Sequence, residues 1–323
     1  MKHLDAHFLT QQAVRDFFRS LGFQDVLVPP AVENPGMETH LHPFQLYSAR
    51  DKKTLPYYLH TSPEFHCKKL LSLGYEKFFS LNYCFRDEPA TEHHRFQFLM
   101  LEWYRKGASY FDLMDDTENL VHFSLNALSQ KNIDICPLIS KTKSQRASVA
   151  ELFQEFLKID ILQFTEAQDL QNWIHSEQKN LALSPPDKNE AWSYDDLFFL
   201  LFLNLIEPKL KNFPHLYVYD YPAPLAALSS LKPSDPRVCQ RFELYLKGVE
   251  VANCFQEEIK LAVIKERFDQ QGILKKSIYH YELPEPAVFY HTMEKGLPAS
   301  SGIALGFERL VMAISPSSQG FWS

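Results

Sequence analysis

Apolar positions recur at helical spacing near the start of the chain, at Ala13, Phe17, Phe18 and Leu21, and predict a helix over residues 4–20 that ends at Gly22. Residues 25–28 then read as a short strand, stopped by Pro29-Pro30. Residues 31–56, rich in His, Pro and Gly, give no periodic pattern and predict an irregular stretch. Ser62-Pro63-Glu64 has the chemistry of a helix start: a capping hydroxyl, a ring that suits the first turn and an acid that complements the dipole. That helix is predicted to run to about Leu73, with Gly74 closing it.

Residues 78–85 and 96–104 read as strands around a polar run, residues 86–95, and predict an antiparallel hairpin. A helix is expected over 111–129. The more polar stretch 141–190 carries two helix-like segments, 147–157 and 166–178, and reads as a helical insertion within one domain spanning 1–323. Further strands are expected near 215–220, 240–246, 248–255 and 301–306. Helices are expected near 257–271 and 285–294 and from 307 onward. Adjacent strands often follow without an intervening helix, which predicts an α+β fold on an antiparallel sheet.

Composition narrows the class. With 26 Phe and 15 Tyr the chain has ample apolar surface for a core. A net charge of −7 disfavours a protein that coats nucleic acid, which needs cations to displace the counterions of the phosphates. The five cysteines are odd in number and form no CxxC pair, so neither a zinc knuckle nor a disulfide framework is expected. The longest apolar run, Leu197–Leu203 continuing to Ile206, is half the length needed to cross a bilayer, which is about 20 residues. His3, Asp5 and Gln11 interrupt the N-terminus where a signal peptide needs an unbroken apolar run. A reducing cytoplasm and no membrane association are the expectation.

Three clusters carry candidate chemistry. Arg86-Asp87-Glu88 follows a predicted strand, and Phe98, Met100, Glu102 and Tyr104 share one face of the next. Arg suits a phosphate because its planar, permanently charged fork binds two oxygens at once. The second cluster is Lys247–Glu257, where Glu250 and Glu257 would reach one site only through a bulge or a strand-to-helix turn. The third is Ser301–Arg309, with Gly306 at a strand-to-helix junction and Arg309 in the first helical turn. A cation opposes the dipole there, so an anionic ligand would rationalise it. Each cluster taken alone also reads as an ordinary solvated turn or acidic helix start.

In this order and spacing the clusters resemble the catalytic domain of class II aminoacyl-tRNA synthetases. Residues 80–105 (SLNYCFRDEPATEHHRFQFLMLEWYR) resemble the second motif of the class, residues 302–309 the third, and residues 23–30 the first, which usually forms a dimer interface. Thr61-Ser62-Pro63-Glu64, Glu102-Trp103-Tyr104-Arg105 and Gly248–Asn253 resemble the lysine branch. The chain is most similar to the elongation factor P lysyltransferases, truncated relatives of lysyl-tRNA synthetase. A lysyl-tRNA synthetase carries an N-terminal OB-fold domain for the anticodon; here the likeness begins within about ten residues of Met1, which disfavours a tRNA acceptor.

The resemblance implies a class II antiparallel sheet flanked by helices, a homodimer, and ATP-dependent activation of lysine or (R)-β-lysine followed by transfer to a lysine of elongation factor P. Arg86 would hold the α-phosphate, Glu88 the adenine end, with Asp87 beside them. His94 and Arg95 would approach the γ-phosphate, and Phe98 would stack beneath adenine. Arg309 would lie over the base, Gly306 would admit the nucleotide, and Val251 would line it. Glu250 and Glu257 would ligate Mg²⁺. Ser62, Pro63, Glu64, Glu102, Tyr104, Asn253 and Glu257 would contact the amino acid, with Arg86, Arg309 and Glu250 as the catalytic set. Ala304 stands where lysyl-tRNA synthetases usually have Gly and would favour the β-amino acid. Arg95 and Gln97 depart from the family's usual His-Asn-Pro-Glu-Phe, and Cys254 and Lys260 from a usual Gly and acidic residue. Two rival readings stay open: an adenylating ligase for another amine, and a non-catalytic paralogue that binds an amino acid or nucleotide.

Overall fold

The computed structural model of the protein describes residues 2–89, 95–181, 183 and 192–316. The chain opens on α1 (Lys2–Ser20) and β1 (Gln24–Val26), followed by β2 (Ala31–Val32), β3 (Gln45–Ser48) and β4 (Lys53–Leu59). Next come α2 (Glu64–Ser72), β5 (Lys77–Phe85), β6 (Gln97–Lys106) and α3 (Tyr110–Gln130). The middle carries α4 (Pro137–Lys141), β7 (Gln145–Ser148), α5 (Val149–Leu157), α6 (Ala167–Leu181), α7 (Tyr194–Leu201) and α8 (Glu207–Leu210). β8 (His215–Pro222), β9 (Leu231–Lys232), β10 (Asp235–Leu246) and β11 (Val249–Gln256) follow. The described chain closes with α9 (Leu261–Tyr279), α10 (Ala287–Glu294), β12 (Ser300–Gly306) and α11 (Phe307–Ile314). Two compact units result, Met1–Cys136 with Gln256–Ser323, and Pro137–Phe255.

In the first unit the strand order is β1-β5-β6-β12, with β1 parallel to β5 and the other pairs antiparallel. The hairpin expected around residues 86–95 is present, in unbroken register from Lys77↔Arg105 to Phe85↔Gln97. Alternation sends Phe79, Leu101 and Trp103 to one face, where α1 covers them: Phe18 stacks on Phe79 at 4.9 Å and meets Trp103 at 5.1 Å. Ala13, Phe17 and Phe18 are buried as their spacing predicts, but Leu21, in the turn after the helix, is 44% exposed. The other face of the sheet carries Ser80, Asn82, Phe98, Met100, Glu102 and Tyr104.

The expectation of an irregular 31–56 is corrected. β2, β4 and β3 form a small antiparallel sheet. Pro56 lies inside β4 and cannot donate to a ladder, and the register slips between Gln45 and Tyr47 opposite it, which hides the alternation. The helix expected from residue 257 begins instead at Leu261, because Glu257 N–H still pairs with Ser300 O (3.0 Å) and Glu258 turns back to accept from Lys260 N–H.

In the second unit the order is β11-β10-β8-β7, with β9 added to β10 and β7 parallel to β8. Stretch 141–190 supplies the two expected helices and also β7, a strand of this sheet. The apolar run Leu197–Ile206 forms the end of α7 and a π-helical turn, and its Leu197, Phe198, Leu201, Phe202 and Ile206 are buried with Val149, Phe153 and Tyr221. That run is core. No helix among the described residues is long and apolar enough to cross a membrane.

Candidate active site

The floor of the site is set by what β12 lacks. Ile303 and Leu305 are buried, while Gly302, Ala304 and Gly306 alternate with them, opposite Tyr104, Glu102 and Met100 of β6. Three small residues in a row on one face leave a trough above the sheet. The trough has no slack at Gly302, where an added Cβ would overlap the Tyr104 ring and the Glu257 carboxylate.

Three carboxylates converge there. Glu64 opens α2, and Lys68 lies one turn on, where an i,i+4 pair meets. Lys68 Nζ stands 2.8 Å from Glu64 and 2.7 Å from Glu257, with both Lys68 and Glu257 side chains 1% exposed. The Lys68 ammonium also sits 5.9 Å from the centroid of Phe289, which is stacked on Phe65. Glu102 accepts a hydrogen bond from Tyr104 OH (2.9 Å), but its Oε1 is buried with no hydrogen-bond partner among the described residues. Burial, with Glu64 and Glu257 nearby, pushes the Glu102 carboxyl well above the usual carboxylate range. Burial raises Glu257 to about 7 against the pull of Lys68. Lys68 itself is held above the ordinary lysine value, because the two carboxylates outweigh its burial.

The strand end beyond this trough carries the phosphate-type residues. Arg86 is half-buried, its guanidinium 5.2 Å from the centroid of Phe98, and its Nε donates to Thr61 O at 3.4 Å. Asp87 and Glu88 line a cavity of about 800 Å³ with His42, Tyr58, Tyr281 and Glu282. Ser62 accepts a long hydrogen bond (3.4 Å) from Glu64 N–H, and Pro63 is the residue that precedes the helix. Arg309 occupies the first turn of α11, as expected, and is half-buried beside Gly306. Its neighbour Glu308 accepts Leu99 N–H with both oxygens at 3.0 Å, which ties the helix start to β6. Arg95 is half-buried; His94 lies outside the described residues.

Glu250, Val251 and Asn253 lie on β11 in the second unit. Leu244 pairs with Ala252 but Tyr245 pairs with Glu250, so Val251 is the extra residue of a β-bulge, the device anticipated for this strand. Asn253 Oδ1 accepts from Arg241 Nε (3.2 Å), and Arg241 is held by Glu243, which also accepts from Tyr221 OH and Tyr245 OH (2.5 and 2.7 Å). This buried network takes up the carbonyl end of the Asn253 amide. Glu250 is half-buried. Glu257 is engaged by Lys68, and no group of three or more His, Cys, Asp or Glu side chains forms a metal cage among the described residues.

Sequence reasoning missed Lys68, Glu308 and Arg241. Lys68 had a signal, its i,i+4 spacing from Glu64, and Glu308 adjoins the Arg309 already singled out. Arg241 had none, since its partner Asn253 is reached only across the β10/β11 ladder.

The family model for tRNA synthetases class II (D, K and N) matches residues 2–319. The chain is 34% identical over 304 residues to a Vibrio vulnificus protein named elongation factor P--(R)-beta-lysine ligase, covering 93% of this chain and 87% of that one. Proteins of the same name from Yersinia enterocolitica and Erwinia tasmaniensis are 34% and 32% identical, over 93% of this chain and 86% of each of theirs. With its paired motif strands, its small-residue trough and a match across nearly its whole length, the chain belongs to the class II tRNA synthetases of the D, K and N group.

Proposed function

We propose that this protein is an ATP-dependent ligase that activates a lysine-like amino acid, (R)-β-lysine in preference to α-lysine, and passes it to a lysine side chain of elongation factor P. The observation that carries this reading is the buried, unpartnered Glu102 Oε1 in a trough holding three carboxylates, Glu64, Glu102 and Glu257, against one ammonium, Lys68. A buried carboxylate without a partner is costly, and a substrate with two ammonium groups removes that cost. The relatives' name supplies the β-amino acid and the acceptor.

The chemistry balances in two steps. A carboxylate oxygen of the amino acid attacks the α-phosphorus of ATP and the bond to pyrophosphate breaks. The acceptor amine then attacks the acyl carbon, the bond to AMP breaks and the amine loses a proton. Neither step forms a bond to the protein, so positioning and charge stabilisation carry the catalysis. Arg86 would hold the α-phosphate, Phe98 would support the base, and Arg309, oriented through Glu308, would close on the nucleotide from α11. His94 and Arg95 would reach toward the terminal phosphate. Asn253, its carbonyl held by Arg241, would offer its amide NH₂ as a donor. Mg²⁺ would be held by Glu250, Glu257 being already paired with Lys68, and would supply charge neutralisation to the phosphates. Leu27, 84% exposed just after β1, supports pairing of two copies through the first motif.

ATP–pyrophosphate exchange tests the reading, with α-lysine, both β-lysine enantiomers and the other standard amino acids. Exchange fastest with (R)-β-lysine, followed by ATP-dependent labelling of elongation factor P with release of AMP, is the expected result. Exchange with an unrelated amino acid would retain an adenylating ligase but reject the proposed substrate, and ATP binding without exchange would make the chain a non-catalytic paralogue. Ala304 pairs with Glu102 across the β6/β12 ladder, which puts its methyl on the face that carries the Glu102 side chain. Ala304→Gly should shift the ratio of exchange rates toward α-lysine by about 10-fold or more, the usual value of one methyl in a pocket. An unchanged ratio would remove Ala304 as the selector.

A further inference from the structure

Lys68 is the residue whose presence needs a reason. An ammonium inside a site meant for ammonium groups looks self-defeating, since it competes with the substrate for the same carboxylates. It is also 1% exposed, so it cannot serve as a surface steering charge. Its geometry gives it one use. The Nζ bridges Glu64, at 2.8 Å, and Glu257, at 2.7 Å, from the helix that also carries Glu64. The same ammonium lies 5.9 Å from the centroid of Phe289, which is stacked on Phe65.

We propose that Lys68 is a positioning residue for the amino-acid substrate: its ammonium, bridging Glu64 and Glu257, sets where both carboxylates point to receive the substrate's amines. The inference rests on the lysine-like reading of the site. One cation holds two acids from different elements, Glu64 at the start of α2 and Glu257 just past β11, and Glu102 Oε1 is left open. Without the ammonium each of the two carboxylates would be free to turn away from the trough.

The test is the split between amino-acid KM and kcat in ATP–pyrophosphate exchange for wild type, Lys68→Met and Lys68→Arg. In Lys68→Met the amino-acid KM should rise by about tenfold or more. The ATP KM and the kcat at saturating amino acid should change far less. Lys68→Arg, which can still span both carboxylates, should recover most of the loss. A folded Lys68→Met with an unaltered amino-acid KM overturns the proposal. If it does not fold, Lys68→Gln, which can still donate to one carboxylate, takes its place with the same expected rise. Failure of both neutral variants to fold, with Lys68→Arg active, would overturn the proposal in favour of a purely structural cation. Wild-type protein that exchanges with no lysine-like amino acid rejects the functional reading itself, a result distinct from an unaltered KM.

Discussion

Arg86→Ala is expected to lower the rate of ATP–pyrophosphate exchange by about 10²–10³-fold, the usual loss when one preorganised charge donor is removed from a transition state. The amino-acid KM should hardly move. Arg86 stands just past the end of β5, outside the acidic trough, and among the described residues its side chain reaches the backbone through a long hydrogen bond to Thr61 O. It is a half-buried residue whose guanidinium rests on Phe98, so truncation should leave the fold intact. The charge that develops on the α-phosphate during attack exceeds that of the ground state, so the loss should appear in kcat. Arg86→Lys should recover only part of the rate, because an ammonium cannot reproduce two parallel N–H bonds to phosphate oxygens. A variant with normal kcat and a raised ATP KM would place Arg86 in ground-state binding instead. Steady-state exchange at varied ATP distinguishes the two.

Much of the architecture around the trough is legible in the sequence because local and tertiary demands agree there. β5 and β6 alternate strictly, Phe79, Leu101 and Trp103 one way and Phe98, Met100, Glu102 and Tyr104 the other, so period and length point to one register. β12 is legible for the same reason, its Ile303 and Leu305 alternating with Gly and Ala. Where local signals conflict, the reading fails. Pro56 interrupts β4 and conceals a small sheet, and Glu257 keeps a strand-type pairing that delays α9 by four residues. The paired carboxylates Glu250 and Glu257 show a different limit. Their spacing is visible, and so is the need for a bulge or a strand-to-helix turn, but the ammonium of Lys68 on Glu257 is a tertiary contact with no trace in either segment. A sequence displays which acids are present; which of them already has a cation depends on the fold.

Glu102→Gln should weaken amino-acid binding while making the empty protein no less stable, and the two effects have one origin. Gln keeps the volume and can still accept from Tyr104 OH, so packing and that hydrogen bond survive. What is lost is the charge that would meet a substrate ammonium in a buried setting. Removing one partner of such a pair costs about 2–5 kcal/mol, so the amino-acid KM should rise by about 30-fold or more. Stability moves the other way. Burial, then Glu64, raises the Glu102 carboxyl well above its unfolded value. A raised carboxyl binds its proton more tightly in the folded state, so its contribution is fully present below the unfolded pKa of about 4.3 and is lost as pH rises through the folded value. Wild-type protein therefore loses stability relative to the Gln variant as pH climbs out of the acid range. Thermal unfolding of both proteins from pH 5 to 9, without substrate, should show Tm curves that diverge in favour of Glu102→Gln. Adding the lysine-like substrate should close or reverse the gap, since the ammonium restores to wild type what burial takes away. A Gln variant that is less stable at every pH, with unaltered KM, would make Glu102 an ordinary structural acid and remove it from the substrate site.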